Sequence, residues 1–270
     1  MARVRVLVHG TLGKMGQEVL RALCHDPGLE AVAGVDARAE KGELLLPDGS
    51  GSIPLSPDLP SALSRSNPYV LVDFTTAEAT MPAVRTAVEH NCRLVIGTTG
   101  LSAGDLDEIK SLCQKQGIGA VVAPNFALAA VVMVHLAKMA AEFFDYAEII
   151  EMHHEQKADA PSGTALTTAR EMVASRGKPF AHAPTRKESI ANCRGGELDG
   201  VALHSVRLPG MLAHQEIILG ATGQTLRIRL DQISREAFMP CVVLAIKKVP
   251  ELKEAVFGLN KLLGLEEESC

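Results

Sequence analysis

The sequence predicts an α/β protein in two parts: a parallel-sheet domain, then an α+β domain with a mixed sheet. Three observations predict it. From Val4 to Ala123, short β-branched apolar runs alternate with stretches of helical period, the pattern of a parallel sheet covered on both faces. After Asn125 that rhythm stops, and beyond Val201 period-2 alternation recurs, as in half-buried strands. From Glu236 to Leu263 the period is helical again, and this tail is expected to pack back on the first domain.

In the first part the predicted strands are Val4 to His9, Ala31 to Asp36, Tyr69 to Phe74, Arg93 to Gly97 and Gly119 to Ala123. A helix opens within Gly10-Thr11-Leu12-Gly13-Lys14-Met15-Gly16. Two more are read from Met81, Val84 and Val88, then from Leu106, Ile109, Leu112 and Cys113, spacings that put apolar side chains on one helical face. Leu46 to Pro60 is rich in turn formers and predicts a surface loop. In the second part an apolar helix from Ala127 to about Phe144 leads to a run from Ala147 to His153, a turn, a helix near Thr164 to Ala174 and a polar stretch. The strands VALHSVRL, HQEIILGA and QTLRIRLDQI follow, with Ala221-Thr222-Gly223 as the hairpin turn between the last two.

The chain has 270 residues, 47% of them hydrophobic and 22% charged, which excludes disordered and collagen-like classes. A formal net charge of −5 offers no cationic surplus for a phosphate backbone, and 3% aromatic residues without Trp offer no stacking platform, so nucleic acid is not an expected partner. Cys24, Cys92, Cys113, Cys193, Cys241 and Cys270 are scattered without a CxxC pair and read as reduced thiols. The opening MARVRVLVHG runs into a strand and not into a leader, and the apolar stretch Phe126 to Ala141 is interrupted by His135 and Lys138. The expectation is a soluble cytoplasmic protein with no membrane partner.

The glycine string follows a predicted strand and opens a predicted helix, and Asp36 ends the second strand 20 residues after Gly16. Glycines there allow a tight turn and close approach of backbone to a pyrophosphate. The helix start supplies unpaired N–H groups, and the carboxylate can accept ribose hydroxyl protons. The spacing is GxxGxxG and not the usual GxGxxG, so it is the context that points to a Rossmann-type dinucleotide site. Asp36 favours a free 2′-hydroxyl, whereas Arg38 and Lys14 can pair with a 2′-phosphate, which leaves NADH and NADPH both open. Gly97-Thr98-Thr99-Gly100 and Pro124-Asn125-Phe126 end the fourth and fifth strands, where open α/β sheets place their ligands. Phe126 reads equally well as core.

The densest chemistry runs from Glu151 to Thr164, where two histidines and a lysine fall within five positions. On a strand His153 and His154 point to opposite faces. No HExxH is present, and adjacent strand histidines do not converge on one ion, so no metal is expected. Ser162, Gly163 and Thr164 start a helix with free N–H groups and two hydroxyls, a cradle for a carboxylate. A plain N-cap would need only one of those hydroxyls. Lys157 adds a cation for the same ligand or a proton for the reaction.

HHEQKADAPSGTAL resembles the HHxxKxDAPSGTA signature of the 4-hydroxy-tetrahydrodipicolinate (dihydrodipicolinate) reductase family, and the resemblance extends through GTLGKMG, VDFTT, IGTTG, APNF, HSVRLPG and AHQE over essentially the whole chain. The resemblance implies reduction of a cyclic imine dicarboxylate by NADH or NADPH, in the diaminopimelate route to lysine, by a homotetramer. It implies a dinucleotide-binding domain over 1–125, completed by helices in 240–270, and a substrate and tetramerisation domain over 126–239. By motif position His153 and Lys157 match the catalytic pair, His154 a substrate contact, and Gly163 with Thr164 the carboxylate cradle. Gly10, Gly13, Met15, Asp36 and Gly97 to Thr99 match cofactor positions, with Ala123 to Phe126 closing over the nicotinamide. Ala127-Leu128-Ala129 stands where the family commonly has Ser-Ile-Gly, and a Gly common near Cys241 is absent. A related aspartate or homoserine dehydrogenase, or a nucleotide-sensing protein without turnover, would share the glycines but have no reason for the histidine–lysine signature.

Overall fold

Val6, Leu7 and Val8 have no exposed surface, because their strand, β1 (Val4–His9), sits inside an eight-stranded sheet with neighbours on both sides. The computed structural model describes residues 2–265, and the chain divides into two units: Met1–Ala127 with Phe238–Cys270, and Leu128–Ala237.

In the first unit β1 leads to α1 (Lys14–His25), which buries Gly16, Val19, Leu20 and Leu23 along one face, the i, i+3, i+4, i+7 stripe of an amphipathic helix. β2 (Leu29–Val35) returns parallel to β1. β3 (Gly42–Leu45), β4 (Ser52–Ser56) and α2 (Leu59–Ser66) come next, and the last two correct the expected loop from Leu46 to Pro60. The turn formers concealed a short alternation in which Ile53 is buried. β4 joins β2 only through Leu55 and Ser56, so Pro54 removes no donor from that ladder. Pro60 lies in the first turn of α2, where proline fits. β5 (Val70–Asp73), α3 (Ala77–Glu89), β6 (Arg93–Ile96), α4 (Ala103–Gln116) and β7 (Ala120–Val122) follow in the predicted places. Ser102 and Asp105 form a reciprocal capping box at the start of α4, and Gly117 ends it in the left-handed region.

The second unit contains α5 (Leu128–Ala141), β8 (Tyr146–His153), α6 (Gly163–Arg176), β9 (Gly196–Leu198), β10 (Val201–Arg207), β11 (Ala213–Ala221) and β12 (Gln224–Gln232). The sheet order is β12-β11-β8-β10-β9, with β8 and β10 parallel and the other pairs antiparallel. Ala147, Ile149, Leu203, Ile217 and Leu219 cover one face and share a core with Met133 and Ala137 of α5 and Ala165, Ala169 and Met172 of α6. Ala221 pairs with Gln224, so the β11–β12 turn is Thr222-Gly223, with Gly223 at φ +76.

The chain then returns to the first unit through α7 (Met239–Lys248), β13 (Ala255–Phe257) and α8 (Asn260–Leu263). β13 corrects the all-helical expectation for the tail: Val256 pairs in parallel with Val121 of β7, and three residues are too few to show a strand period. The first sheet therefore runs β13-β7-β6-β5-β1-β2-β4-β3, and only the edge strand β3 is antiparallel to its neighbour. The strand order reverses between β1 and β5, the switch point outside whose carboxyl ends such sheets bind ligands. The last part of the tail, with Cys270, lies outside the described residues. Cys24, Cys92, Cys113, Cys193 and Cys241 are free thiols. No helix among the described residues is long and apolar enough to cross a membrane.

Candidate active site

At the end of β1, Gly10 takes φ +83, and a Cβ there would lie 2.5 Å from the Phe74 carbonyl oxygen. A Cβ on Gly16 would lie 2.2 Å from the Gly10 carbonyl oxygen, so the loop folds against the first turn of α1 at a separation only glycine permits. Gly13 is the N-cap of α1 and provides no side-chain cap, leaving first-turn amides open to a ligand. The Leu12 N–H donates to Asp36 Oδ2 at 2.9 Å. Asp36 is buried and accepts from the Arg38 N–H at 3.0 Å and Arg38 Nε at 3.1 Å. Burial pushes the Asp36 carboxyl up, but the Arg38 and Leu12 contacts outweigh it and hold the group below its ordinary value. Thr11 is buried and donates to the Val8 carbonyl at 2.6 Å, so its hydroxyl faces the protein. Lys14 and Arg38 are exposed, and Met15 is half-buried.

Gly97 faces the Phe74 ring, whose Cε1 would be 2.0 Å from an added Cβ. Phe74 meets Phe126 edge-on, with ring centroids 5.9 Å apart, and Phe126 is 1% exposed. The Phe126 ring is thus core, whereas Pro124 and Thr99 are exposed and Ala123 is buried. Asn125 Oδ1 accepts from the Ala127 N–H at 2.9 Å, a contact that shapes the entry to α5 at the Ala127-Leu128-Ala129 departure. Thr98 is buried and donates to Asp73 Oδ2 at 2.9 Å while accepting from the Thr75 N–H. Sequence reasoning missed Asp73. It sits buried at the carboxyl end of β5, takes further bonds from the Thr75 and Thr80 hydroxyls and lies 2.8 Å from His9 Nδ1. The carboxyl ends of β1, β5 and β6 are thereby tied together beneath the glycine loop.

In the second unit the inward positions of β8 are Ala147, Ile149, Glu151 and His153. Glu151 is fully buried, and Arg207 of β10 grips it at both oxygens, Nη2 to Oε1 at 2.7 Å and Nη1 to Oε2 at 2.9 Å. Burial pushes the Glu151 carboxyl up, but Arg207, Ser205 and His153 overcome it and keep it below the ordinary glutamate value. His153 Nδ1 lies 2.5 Å from Glu151 Oε2. Burial lowers the imidazole below its ordinary value, Glu151 opposing and Lys157 adding to the effect. A charged Glu151 only accepts, so the neutral ring carries its proton on Nδ1 and its lone pair on Nε2. His154 lies past the end of β8 and does not point from its opposite face, because the Lys157 N–H bonds to the His154 carbonyl and turns the chain.

Ser162 caps α6 by accepting from the Ala165 N–H at 3.2 Å, and its own N–H donates to Glu151 Oε1. That accounts for Ser162 as an N-cap. Gly163 is exposed, and an added Cβ would meet nothing within 4 Å. Thr164 is half-buried in the same turn. Lys157 Nζ lies 2.7 Å from Asp159 Oδ1. Glu151 therefore ties His153 to the start of α6, touching both His153 and Ser162, and Lys157 lies near enough to His153 to act on its imidazole. Neither Glu151 nor Arg207 had been assigned a role from sequence. The available signal was a carboxylate on the buried parity of a strand, which requires a partner. The cavity lined by Arg5, Lys41, Glu43 and Arg65 contains none of these residues.

A parallel sheet with a glycine loop at its switch point, together with a histidine, a lysine and an open helix N-terminus, belongs to the class of two-unit nicotinamide-dependent oxidoreductases. Residues 4–126 match the family model for the dihydrodipicolinate reductase N-terminus and residues 129–263 that for its C-terminus. The chain belongs to the dihydrodipicolinate reductase family. It is 56% identical to the 4-hydroxy-tetrahydrodipicolinate reductase of Dehalococcoides mccartyi strain BAV1, over 98% of this chain and 100% of that one. With the Bacillus subtilis enzyme of the same name it shares 41%, over 96% and 98%. The dipicolinate-bound dihydrodipicolinate reductase of Paenisporosarcina sp. TG-14 superposes with a TM-score of 0.85 at 39% identity, over 96% of this chain and 99% of that one.

Proposed function

We propose that this chain reduces 4-hydroxy-tetrahydrodipicolinate to tetrahydrodipicolinate, using NADH or NADPH, in the diaminopimelate route to lysine. The observation that carries the reading is that one buried carboxylate, Glu151, braces both His153 and the start of α6, with Lys157 near enough to act on the His153 imidazole, in a chain whose near-full-length relatives bear that enzyme name.

The glycine loop suits a pyrophosphate, since its backbone is folded so closely that a Cβ on Gly10 or Gly16 would strike backbone, and the α1 amides lack a side-chain cap. The coenzyme, when bound there, supplies a hydride. Asp36 suits the ribose hydroxyls of NADH and Arg38 beside it suits the 2′-phosphate of NADPH, which supports use of both. In the second unit, the Gly163 and Thr164 amides and the Thr164 hydroxyl bind one carboxylate of the ring. Once the 4-hydroxyl leaves as water, reduction at ring carbon 4 sends electrons toward nitrogen and leaves an enamine that needs a proton at carbon 3. Lys157 Nζ donates that proton, and a placed general acid is worth about 100- to 10,000-fold in rate. His153, held by Glu151 with Nε2 as the acceptor, orients the reacting ring.

Assembly as a homotetramer is part of the proposal. The face of the second sheet opposite the α5–α6 core carries Glu148 paired with Arg194 and His204, and Glu216 paired with Arg227, with half-buried Ile150 and Ile218 between them. Such a mixed face suits burial against another copy. The deciding experiment follows coenzyme oxidation with enzymatically generated 4-hydroxy-tetrahydrodipicolinate, NADH and NADPH in parallel. Substrate-dependent oxidation is expected with each, and none with aspartate semialdehyde in its place. Oxidation with neither coenzyme would end the proposal.

A further inference from the structure

We propose that Asp159 is a positioning residue whose carboxylate occupies, in the free protein, the place that a substrate carboxylate takes beside Lys157, and that the two carboxylates exchange on binding. The inference rests on the reading of the α6 cradle given above.

Lys157 Nζ and Asp159 Oδ1 are 2.7 Å apart, with the Lys157 side chain 23% exposed and that of Asp159 56% exposed. The lysine side chain is therefore mostly covered while its partner stands at the solvent side. The Asp159 backbone is fixed separately: its carbonyl accepts from Arg207 Nη2 at 2.6 Å, from the same guanidinium that grips Glu151. The carboxylate can thus rotate away with no change in the Glu151–Arg207–His153 support. Apart from its own backbone N–H, it is Lys157 foremost and, to a smaller extent, the Gly163 amide that hold the Asp159 carboxyl below its ordinary value, against an opposing effect of burial that is second only to the Lys157 hydrogen bond. These are the two donors, one cationic and one from the first turn of α6, that suit an incoming carboxylate.

Two carboxylates against one ammonium repel each other, so the ligand replaces Asp159 and does not join it. Replacement is feasible because a half-exposed ion pair is worth little. Until then the pair restricts a side chain that otherwise samples many rotamers, so that Lys157 already lies in the cradle when the ring arrives. A ring ligand without a carboxylate has no means of making the exchange.

The test is calorimetric titration of pyridine-2,6-dicarboxylate into wild type, Asp159→Asn, Asp159→Glu and Lys157→Ala, with steady-state kinetics on the first three. Removing the internal competitor in Asp159→Asn should tighten binding about 2- to 5-fold, the size of an exposed ion pair, and lower KM with kcat unchanged or reduced. Asp159→Glu, which keeps the carboxylate, should behave as wild type, and Asp159→Ala is a second neutral variant with the same expected sign. Unchanged or weaker binding in both neutral variants, with wild-type circular dichroism, overturns the exchange while leaving the cradle in place. Failure of wild type to bind the diacid, or binding indifferent to Lys157→Ala, overturns the cradle reading itself and this inference with it.

Discussion

Two glycines at helix starts behave in opposite ways. At Gly16, in the first turn of α1, an added Cβ would lie 2.2 Å from a backbone oxygen, whereas at Gly163, which opens α6, it would meet nothing within 4 Å. Each helix offers first-turn amides to an anion, but α1 does so with Gly13 as a cap that has no side chain, and α6 with Ser162, whose oxygen bonds the Ala165 N–H. The glycine loop is shaped by backbone packed on backbone, and the start of α6 by side chains fastened to a buried carboxylate. The first kind of site tolerates no added atom in its frame; the second has room at its mouth and depends on the groups behind it.

The comparison is broken most severely at Glu151. Glu151→Gln leaves the Arg207 guanidinium without its charged partner in a buried setting, a loss of about 3–5 kcal/mol, read as a lower denaturation midpoint with urea. A variant as stable as wild type would mean that the second site does not depend on this pair. Next comes Gly16→Ala, expected to cost about 1–3 kcal/mol by overpacking and to weaken coenzyme binding in fluorescence titrations. Gly163→Ala should leave stability within about 0.5 kcal/mol. Equal effects at the two glycines would erase the distinction. Thr164→Val removes one hydrogen bond to a charged ligand and should raise KM about tenfold with kcat little changed. A fall confined to coenzyme affinity would show that the cradle serves another ligand.

The smallest effect is in pH. His153 is lowered by burial against Glu151, and Glu151 itself is lowered by Arg207, Ser205 and His153 against burial. In both cases the unfolded chain binds protons more readily than the folded one, so stability is complete at neutral pH. It declines on acidification, first as pH falls below the ordinary histidine range and again below the ordinary glutamate range. Thermal melts across pH should show both steps, and His153→Asn should remove the first. A melting temperature that rises on acidification would reverse the assigned sign.

The parallel sheet was legible because β1, β5, β6 and β7 are short apolar runs buried on both faces, and the glycine loop because its backbone conformation requires particular residues at fixed spacing. β4 was not legible, since Pro54 and its flanking turn residues conceal Ile53, and neither was β13, whose three residues are too short for any period. At the second site, HHEQKADAPSGTAL put the histidine, the lysine and the helix start in view. Arg207 stayed hidden because its partner is 56 residues away in sequence, and only the parallel register that sets Arg207 opposite His153 brings it to Glu151. Asp73 was hidden for the same reason: Thr98, which holds it, lies just past the end of the next strand, 25 residues on.

The central claim, that Lys157 protonates the ring reduced at this site, is tested most directly by Lys157→Ala, with turnover and coenzyme dissociation constant measured on the same preparation. A fall in kcat of about 100-fold or more with an unchanged coenzyme constant is the predicted result. Undiminished turnover, or a loss of coenzyme affinity that matches the loss of rate, would contradict it.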